Sequence, residues 1–282
     1  MTVLVIGASS RLGADVARDL IARGVDVRAM TRRADAAMPE GVDVVRADLG
    51  DPASLLAACA DVERMFLMSS PTADQVVLET NAIAAAEAAG VAHVVKISNL
   101  PVTGLDGGLH GNHRTIEARL ADSTVGATVL QPSFFGSVLA RQLGLIRRGR
   151  FVMPTGAGRI AWIDPRDIAA VAAAVLGAAE PPTGALRLTG PEALSAGDVA
   201  TRISEVTGRE IALLQPPLDA WQAELRSSGM DPWLLESTVH LYEAVSRGAL
   251  ADVSPDVERV LGYPPRPLGS WIRDELVPLL GE

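Results

Sequence analysis

TVLVIGASSRLG, residues 2–13, sets a strand, a turn and the start of a helix within twelve residues. The apolar run TVLVI predicts a buried strand, and Gly7 ends it. A helical pattern follows, beginning near Arg11. Strand, glycine-bearing turn and helix in that order make the opening of a dinucleotide-binding unit. The turn departs from the usual spacing, because Ser10 and Arg11 stand at the two positions where a middle glycine is expected. Gly7 is assigned the tight turn and Gly13 the close approach of helix to strand. Backbone N–H groups of Ser9, Ser10, Arg11 and Leu12 at the helix start would face a pyrophosphate. The Ser10 side chain would hold it slightly farther out or bond it through its hydroxyl.

Outward from this turn, apolar and β-branched runs recur at 25–30, 42–47, 62–68, 92–98 and 127–131, separated mostly by helical patterns. That alternation predicts βαβ units and a parallel sheet covered on both faces. Asp51-Pro52, Ser70-Pro71 and Asp164-Pro165 each place a capping side chain before a proline, the signature of a helix start. After Gln131 the rhythm changes to a helix, short strands, an alanine-rich helix and one more strand at 184–190. The fold class expected is α/β, a Rossmann-type doubly wound parallel sheet with a smaller, mainly helical C-terminal capping domain. Residues 1–153 are assigned to the nucleotide-binding domain, with 162–178 and 184–189 returning to it. Residues 190–282 are assigned to the cap, with 154–161 contributing.

The chain carries 25 basic and 34 acidic residues, a net charge of −9 with no segregated basic stretch, which argues against a nucleic-acid surface. Cys59 is the single cysteine, so neither a disulfide framework nor a thiolate metal cluster is expected, and a reducing cytoplasm is the expected home. The longest apolar tract, 168–179, is too short for a membrane span of about 20 residues. No metal site is expected.

The second strand ends in Thr31-Arg32-Arg33, with no acidic residue where an NAD-specific fold would bind the ribose 2′-hydroxyl. Two arginines there point to the 2′-phosphate of NADP(H), with Arg11 close enough to assist.

GASSRLG and TRR, together with ADLGDPASL (47–55) and MSSP (68–71), resemble the short-chain dehydrogenase/reductase superfamily. HVVKISNL, HRTIEARLADS, ATVLQPSFF, WIDPRDIAAVAAAVL and LTGPEALSAGDVATRISEVTGR narrow the resemblance to its atypical, NmrA-like branch, which includes quinone reductases and NADP-sensing regulators. The resemblance implies that Asp48 and Leu49 flank the adenine and that Ser69 and Ser70 line the path to the nicotinamide. It also implies that Pro132, Ser133 and Phe134 lie near the carboxamide and the substrate mouth.

Most of the superfamily uses a tyrosine one helical turn before a lysine as its acid. That pair cannot form here: the only lysine is Lys96, and the only tyrosines are Tyr242 and Tyr263. The family register places Leu109 at the tyrosine position, His113 at the lysine position and Ser98 at the serine position. The expected catalytic set is therefore His113 as ribose binder and proton source, Ser98 as oxyanion donor, then Asn99 and His110. Lys96 is read as reaching the cofactor phosphates or ending a solvent edge. Phe135, Trp162, Trp221 and Tyr242 are the candidate substrate contacts, suited to a flat aromatic molecule. The function expected is NADPH-dependent reduction of an aromatic ketone or quinone. The alternative is a non-catalytic NADP(H)-sensing regulatory protein that binds a protein partner. A nucleotide-sugar epimerase is disfavoured, since it depends on the absent tyrosine and lysine.

Overall fold

A computed structural model describes residues 1–33 and 35–281. Its main sheet contains β1 (Thr2–Ile6), β2 (Asp26–Thr31), β3 (Asp43–Arg46), β4 (Arg64–Leu67), β5 (His93–Ile97) and β6 (Gly126–Pro132), closed by a seventh strand, Gly184–Leu188. The spatial order is β3-β2-β1-β4-β5-β6 and then the seventh strand, and every pairing is parallel. The winding reverses between β1 and β4, where Val5 pairs with Phe66. The C-terminal ends of those strands thus open the crevice in which such sheets take ligands.

Each face of the sheet carries its own core. On one, α1 (Arg11–Ala22) packs against the helix Pro165–Gly177. Leu12, Val16 and Leu20 of α1 meet Ala169, Ala172 and Ala173, small side chains that let the two helices approach closely. On the other face lie α2 (Pro52–Ala58), α3 (Gln75–Ala89) and α4 (Gly108–Ala121), over a core that includes the buried Cys59. Alternation along β5 sends Val95 into the first core and Val94 into the second. By the same alternation Lys96 points beneath α3 and α4.

Two of the expected helix starts are capped as proposed: Asp51 accepts from the Ala53 amide at 3.1 Å, and Asp164 from the Arg166 amide at 2.9 Å. The third is corrected. No helix begins at Ser70-Pro71; α3 starts at Gln75. The Thr72 carbonyl is taken by a turn from the Gln75 amide and by the Asn112 side chain of α4, so the segment stays non-helical until residue 75.

A third core gathers Leu139, Ile146, Phe151 and Met153 with the helices Ala196–Thr207, Leu218–Ser227 and Pro232–Ser246. Two small sheets edge it, Arg150–Val152 with Ala212–Leu214 and Arg159–Ile160 with Leu194–Ser195. Residues 139–153 therefore pack with the C-terminal elements and not with the main sheet. The chain leaves the main sheet after Pro132, the last residue of β6. Gly136 sits where the chain crosses: a Cβ there would stand 2.2 Å from the Trp271 ring, so only glycine lets that ring seat.

Candidate cofactor and active site

The opening turn is held by two glycines with no room for a side chain. Gly7 has φ +91°, and a Cβ there would lie 2.9 Å from the Met68 carbonyl oxygen. A Cβ on Gly13 would lie 2.2 Å from the Gly7 carbonyl oxygen. Ser10 is the N-cap of α1, its hydroxyl accepting from the Gly13 amide at 3.1 Å. The residue in place of the middle glycine thus closes the helix, and its hydroxyl proton remains to donate. The first amides of a helix have no intrahelical partner, and those of Arg11 and Leu12 open at the C-terminal end of β1. This is a cradle that fits a diphosphate. Ser9 is exposed, whereas Leu12 buries its side chain and offers only its backbone. Gly13→Ala is expected to displace the turn backbone and abolish nucleotide binding, at a stability cost of about 1–3 kcal/mol. Isothermal titration with NADPH beside a denaturant melt checks both.

Arg32 and Arg33 stand exposed directly after β2, in a turn in which the Thr31 hydroxyl accepts from the Arg33 amide at 3.1 Å. Beyond β3, Asp48 accepts from the Gly50 amide at 2.8 Å, and the Leu49 carbonyl accepts from Asn81 at 2.9 Å. These bonds stiffen a half-buried loop. Arg11 departs from expectation. Its guanidinium is paired with Glu275 of the π-helical turn Ile272–Leu276, and so is directed to the C-terminal segment rather than to Arg32 and Arg33. Arg166 makes a parallel contact with Asp274 at 2.8 Å.

At the ends of β4 and β5 lies a buried polar network. Lys96, with no exposed surface, pairs with Glu79 of α3 at 2.7 Å and lies 3.2 Å from His113 Nδ1 of α4. The other Glu79 oxygen accepts from Ser69 at 2.7 Å and from Gln75 at 3.1 Å. Beside it, Glu117 accepts from the Ser98 hydroxyl and from Gln131, the latter at 3.2 Å. Lys96 therefore neither reaches toward phosphates nor ends a solvent edge. The alternation of β5 turns it inward, and only the opposing carboxylate makes its burial tolerable. Ser98 is corrected as well: its one hydroxyl proton goes to Glu117, so it is not a free oxyanion donor. Asn99 is half-buried, and its carboxamide makes no hydrogen bond among the described residues. Ser70 is exposed in the same loop as Ser69.

The electrostatics of this pocket revise the proton source. Burial, then the Lys96 charge and His110, push His113 down to about 2. Burial and then Arg114 push His110 down to about 4. Both rings are neutral at neutral pH and carry no imidazolium proton to give. Burial also depresses Lys96, against the pull of Glu79 and Glu117. Glu79, Gln75 and Gln131 were not anticipated from sequence. The available signal was a lone lysine inside a β-branched strand, which requires a carboxylate from a helix packed over it.

The candidate substrate aromatics fall into two places. Phe134 meets Trp162 edge-on at 5.6 Å and Tyr242 at 5.8 Å, and Tyr242 lies 4.5 Å from Trp221. These four are buried in the C-terminal core, Trp162 with 1% of its surface exposed, so they pack that unit and do not line an open cleft. Burial pushes the Tyr242 phenol up to about 12, which leaves it unsuited to replace the missing acid. Phe135 is apart from them, half-buried against the main sheet, where it bridges to Ile163. Pro132 ends β6, with Ser133 bonded through its amide to Leu188 at 2.9 Å. A cavity of about 410 Å³ opens instead between the loop 104–108 and the helix Pro232–Ser246, lined by His110, Trp233, Ser237 and His240 among others. Its loop is docked by the Leu109 amide donating to Ser237 at 3.1 Å.

Relatives and a solved structure match the chain over nearly its full length. The chain is 33% identical to (4-alkanoyl-5-oxo-2,5-dihydrofuran-3-yl)methyl phosphate reductase of Streptomyces griseus over 95% of this chain and 96% of that one. It is 31% identical to the NAD(P)H azoreductase of Xenophilus azovorans over 96% of each. The crystal structure of the Escherichia coli NADPH-dependent quinone oxidoreductase complexed with NADPH superposes with a TM-score of 0.86, at 28% identity and full coverage of both chains. The NmrA-like family model matches residues 1–247. With the glycine turn, the parallel sheet and its C-terminal cap all in that order, the chain belongs to the NmrA-like family.

Proposed function

We propose that this chain is an NADPH-dependent oxidoreductase that reduces quinones and similarly conjugated, electron-poor carbonyl compounds. Bound NADPH supplies the hydride. The α1 cradle holds the diphosphate, Arg32 and Arg33 meet the 2′-phosphate, and Asp48 and Leu49 flank the adenine. Ser69 and the ends of β4 and β5 border the nicotinamide. The kinds of relative that match the chain over its full length support the reaction class.

The observation that carries the substrate class is that, among the described residues, none of the acids expected beside the nicotinamide is free to give a proton at neutral pH. His110 and His113 are neutral, Ser98 is engaged by Glu117, and Tyr242 is sealed in the core. Asn99 can donate hydrogen bonds to developing negative charge. A simple ketone needs a proton as its alkoxide forms. A quinone yields a delocalised phenolate that takes its proton from water. The pocket therefore suits the quinone, and among ketones those whose own hydroxyl group supplies the proton. The cavity beside His110 and Trp233 is the proposed seat of the aromatic body, with half-buried Phe135 as a further contact.

Single-turnover oxidation of bound NADPH by a panel of quinones and plain aromatic ketones tests this. Quinones are expected to oxidise it and plain ketones are not. Tight NADPH binding without oxidation by any quinone would sink the reductase proposal in favour of a sensing protein. Arg32→Ala is expected to weaken NADPH about tenfold, as for one charge-assisted contact, and NADH less than about twofold. Equal losses for both nucleotides would remove the 2′-phosphate assignment.

A further inference from the structure

The Lys96 ammonium has three acceptors around it: a Glu79 carboxylate oxygen at 2.7 Å, His113 Nδ1 at 3.2 Å and the Ile97 carbonyl. An ammonium has three hydrogens and no lone pair, so each contact takes one hydrogen. Nδ1 of His113 must then be the acceptor, and the ring hydrogen lies on Nε2. Nε2 has no hydrogen-bond partner among the described residues, and 7% of the residue remains exposed.

The sheet order says what this donor faces. Arg32 and Arg33 end β2 and the diphosphate cradle ends β1, so a nucleotide laid along the crevice puts its nicotinamide half over the next strands, β4 and β5. Ser69 follows β4 and Lys96 lies in β5, and both are bonded to Glu79. We propose that Lys96, anchored by Glu79, is a positioning residue that holds His113 as a neutral Nε2–H donor to the nicotinamide ribose. This rests on the nucleotide-binding part of the proposed function. The lysine acts behind the histidine and touches no ligand.

The charged and titratable groups facing His113 are Lys96 of β5, Glu79 of α3 behind it, and His110 and Glu117 on its own helix. Of these, Lys96 and His110 oppose a charge on the ring. Replacing the lysine is therefore expected to free the tautomer of His113, while burial, the largest cause of its depression, keeps the ring neutral.

Histidine-selective ¹⁵N NMR reads this directly, since the chain has four histidines. In the wild type, His113 is expected in the Nε2–H form with no titration between about pH 5 and 8. An Nδ1–H ring, or titration in that window, overturns the proposal. NADPH affinity is the second readout. His113→Ala is expected to weaken it about fivefold, the scale of one hydrogen bond. His113→Gln, which presents an acceptor to Lys96 and a donor outward, should recover most of that loss. Lys96→Met alone leaves Glu79 buried without its cation, so the folded comparison is Glu79→Gln with Lys96→Met. That variant keeps His113 but should lose the fixed Nε2–H form and show an NADPH loss close to that of His113→Ala. Unchanged affinity in His113→Ala overturns the ribose assignment. Absence of NADPH binding to the wild type overturns this proposal and the reductase proposal together, whereas binding without quinone reduction overturns the reductase proposal alone.

Discussion

Lys96→Met is expected to destabilise the chain by about 3–5 kcal/mol, read as a lower urea midpoint at unchanged slope. The lysine and Glu79 are both buried beneath α3 and α4, with 0% and 1% of their surfaces exposed. Removing the cation leaves a carboxylate in a low-dielectric site. Ser69 and Gln75 still donate to one of its oxygens, but two neutral donors do not replace an ammonium. The loss therefore reports an uncompensated charge and not the net worth of the pair. That distinction is testable, because Glu79→Gln made together with Lys96→Met removes both charges and keeps an acceptor for Ser69. The double variant should recover at least about 1 kcal/mol relative to additivity. Strict additivity would show that the two side chains do not interact as described.

Acidification is expected to unfold the protein well before its carboxylates titrate. His93, His110 and His113 are all buried, and burial is the largest cause of depression in each: to about 4, about 4 and about 2. The unfolded chain takes these protons near pH 6.5, while the folded chain refuses them. Below that pH the unfolded state binds more protons, so stability is fully present above about pH 6.5 and falls as the pH drops. Each ring contributes a slope of about 1.4 kcal/mol per pH unit, so three together give about 4. The contributions of His93 and His110 are exhausted near pH 4, and that of His113 continues to about pH 2. Asp167, whose carboxyl is pushed up by burial, acts in the opposite sense at the acid end. Urea melts at half-unit steps from pH 7 to 5 should show the fall. His93→Gln, which can still donate to the Thr128 hydroxyl that His93 meets at 2.8 Å, should flatten it by about a third. An unchanged slope in that variant would exclude His93 from the effect.

Much of the fold was legible because it depends on periodicities that each segment carries within itself. The six early strands and their parallel arrangement follow from β-branched runs alternating with helical patterns. The caps at Asp51 and Asp164 follow from a side chain, a proline and a helix in immediate succession. Ser70-Pro71 has the same local grammar and fails, since the Thr72 carbonyl is claimed by Asn112, forty residues away in the chain. The shape of the candidate cofactor turn was legible for a related reason. The placement of Gly7, Ser10, Gly13, Arg32 and Arg33 depends on backbone conformation and on position at a strand end, and both properties are local.

The pocket chemistry was not legible in that way. Sequence established that the tyrosine and lysine pair is absent, and the family resemblance offered His113, Ser98 and Asn99 as candidates in its place. It could not say that Ser98 gives its proton to Glu117, that Trp162 and Tyr242 are core, or that Lys96 backs His113 beneath Glu79. Those facts depend on burial and on contacts between α3, α4 and β5, which lie far apart in the chain. The sequence by itself thus determined a parallel nucleotide-binding sheet and excluded the usual acid. Only the tertiary structure decided the charge and hydrogen-bonding state of what remains, because desolvation and the direction of a proton are properties of packed neighbours and not of residue order.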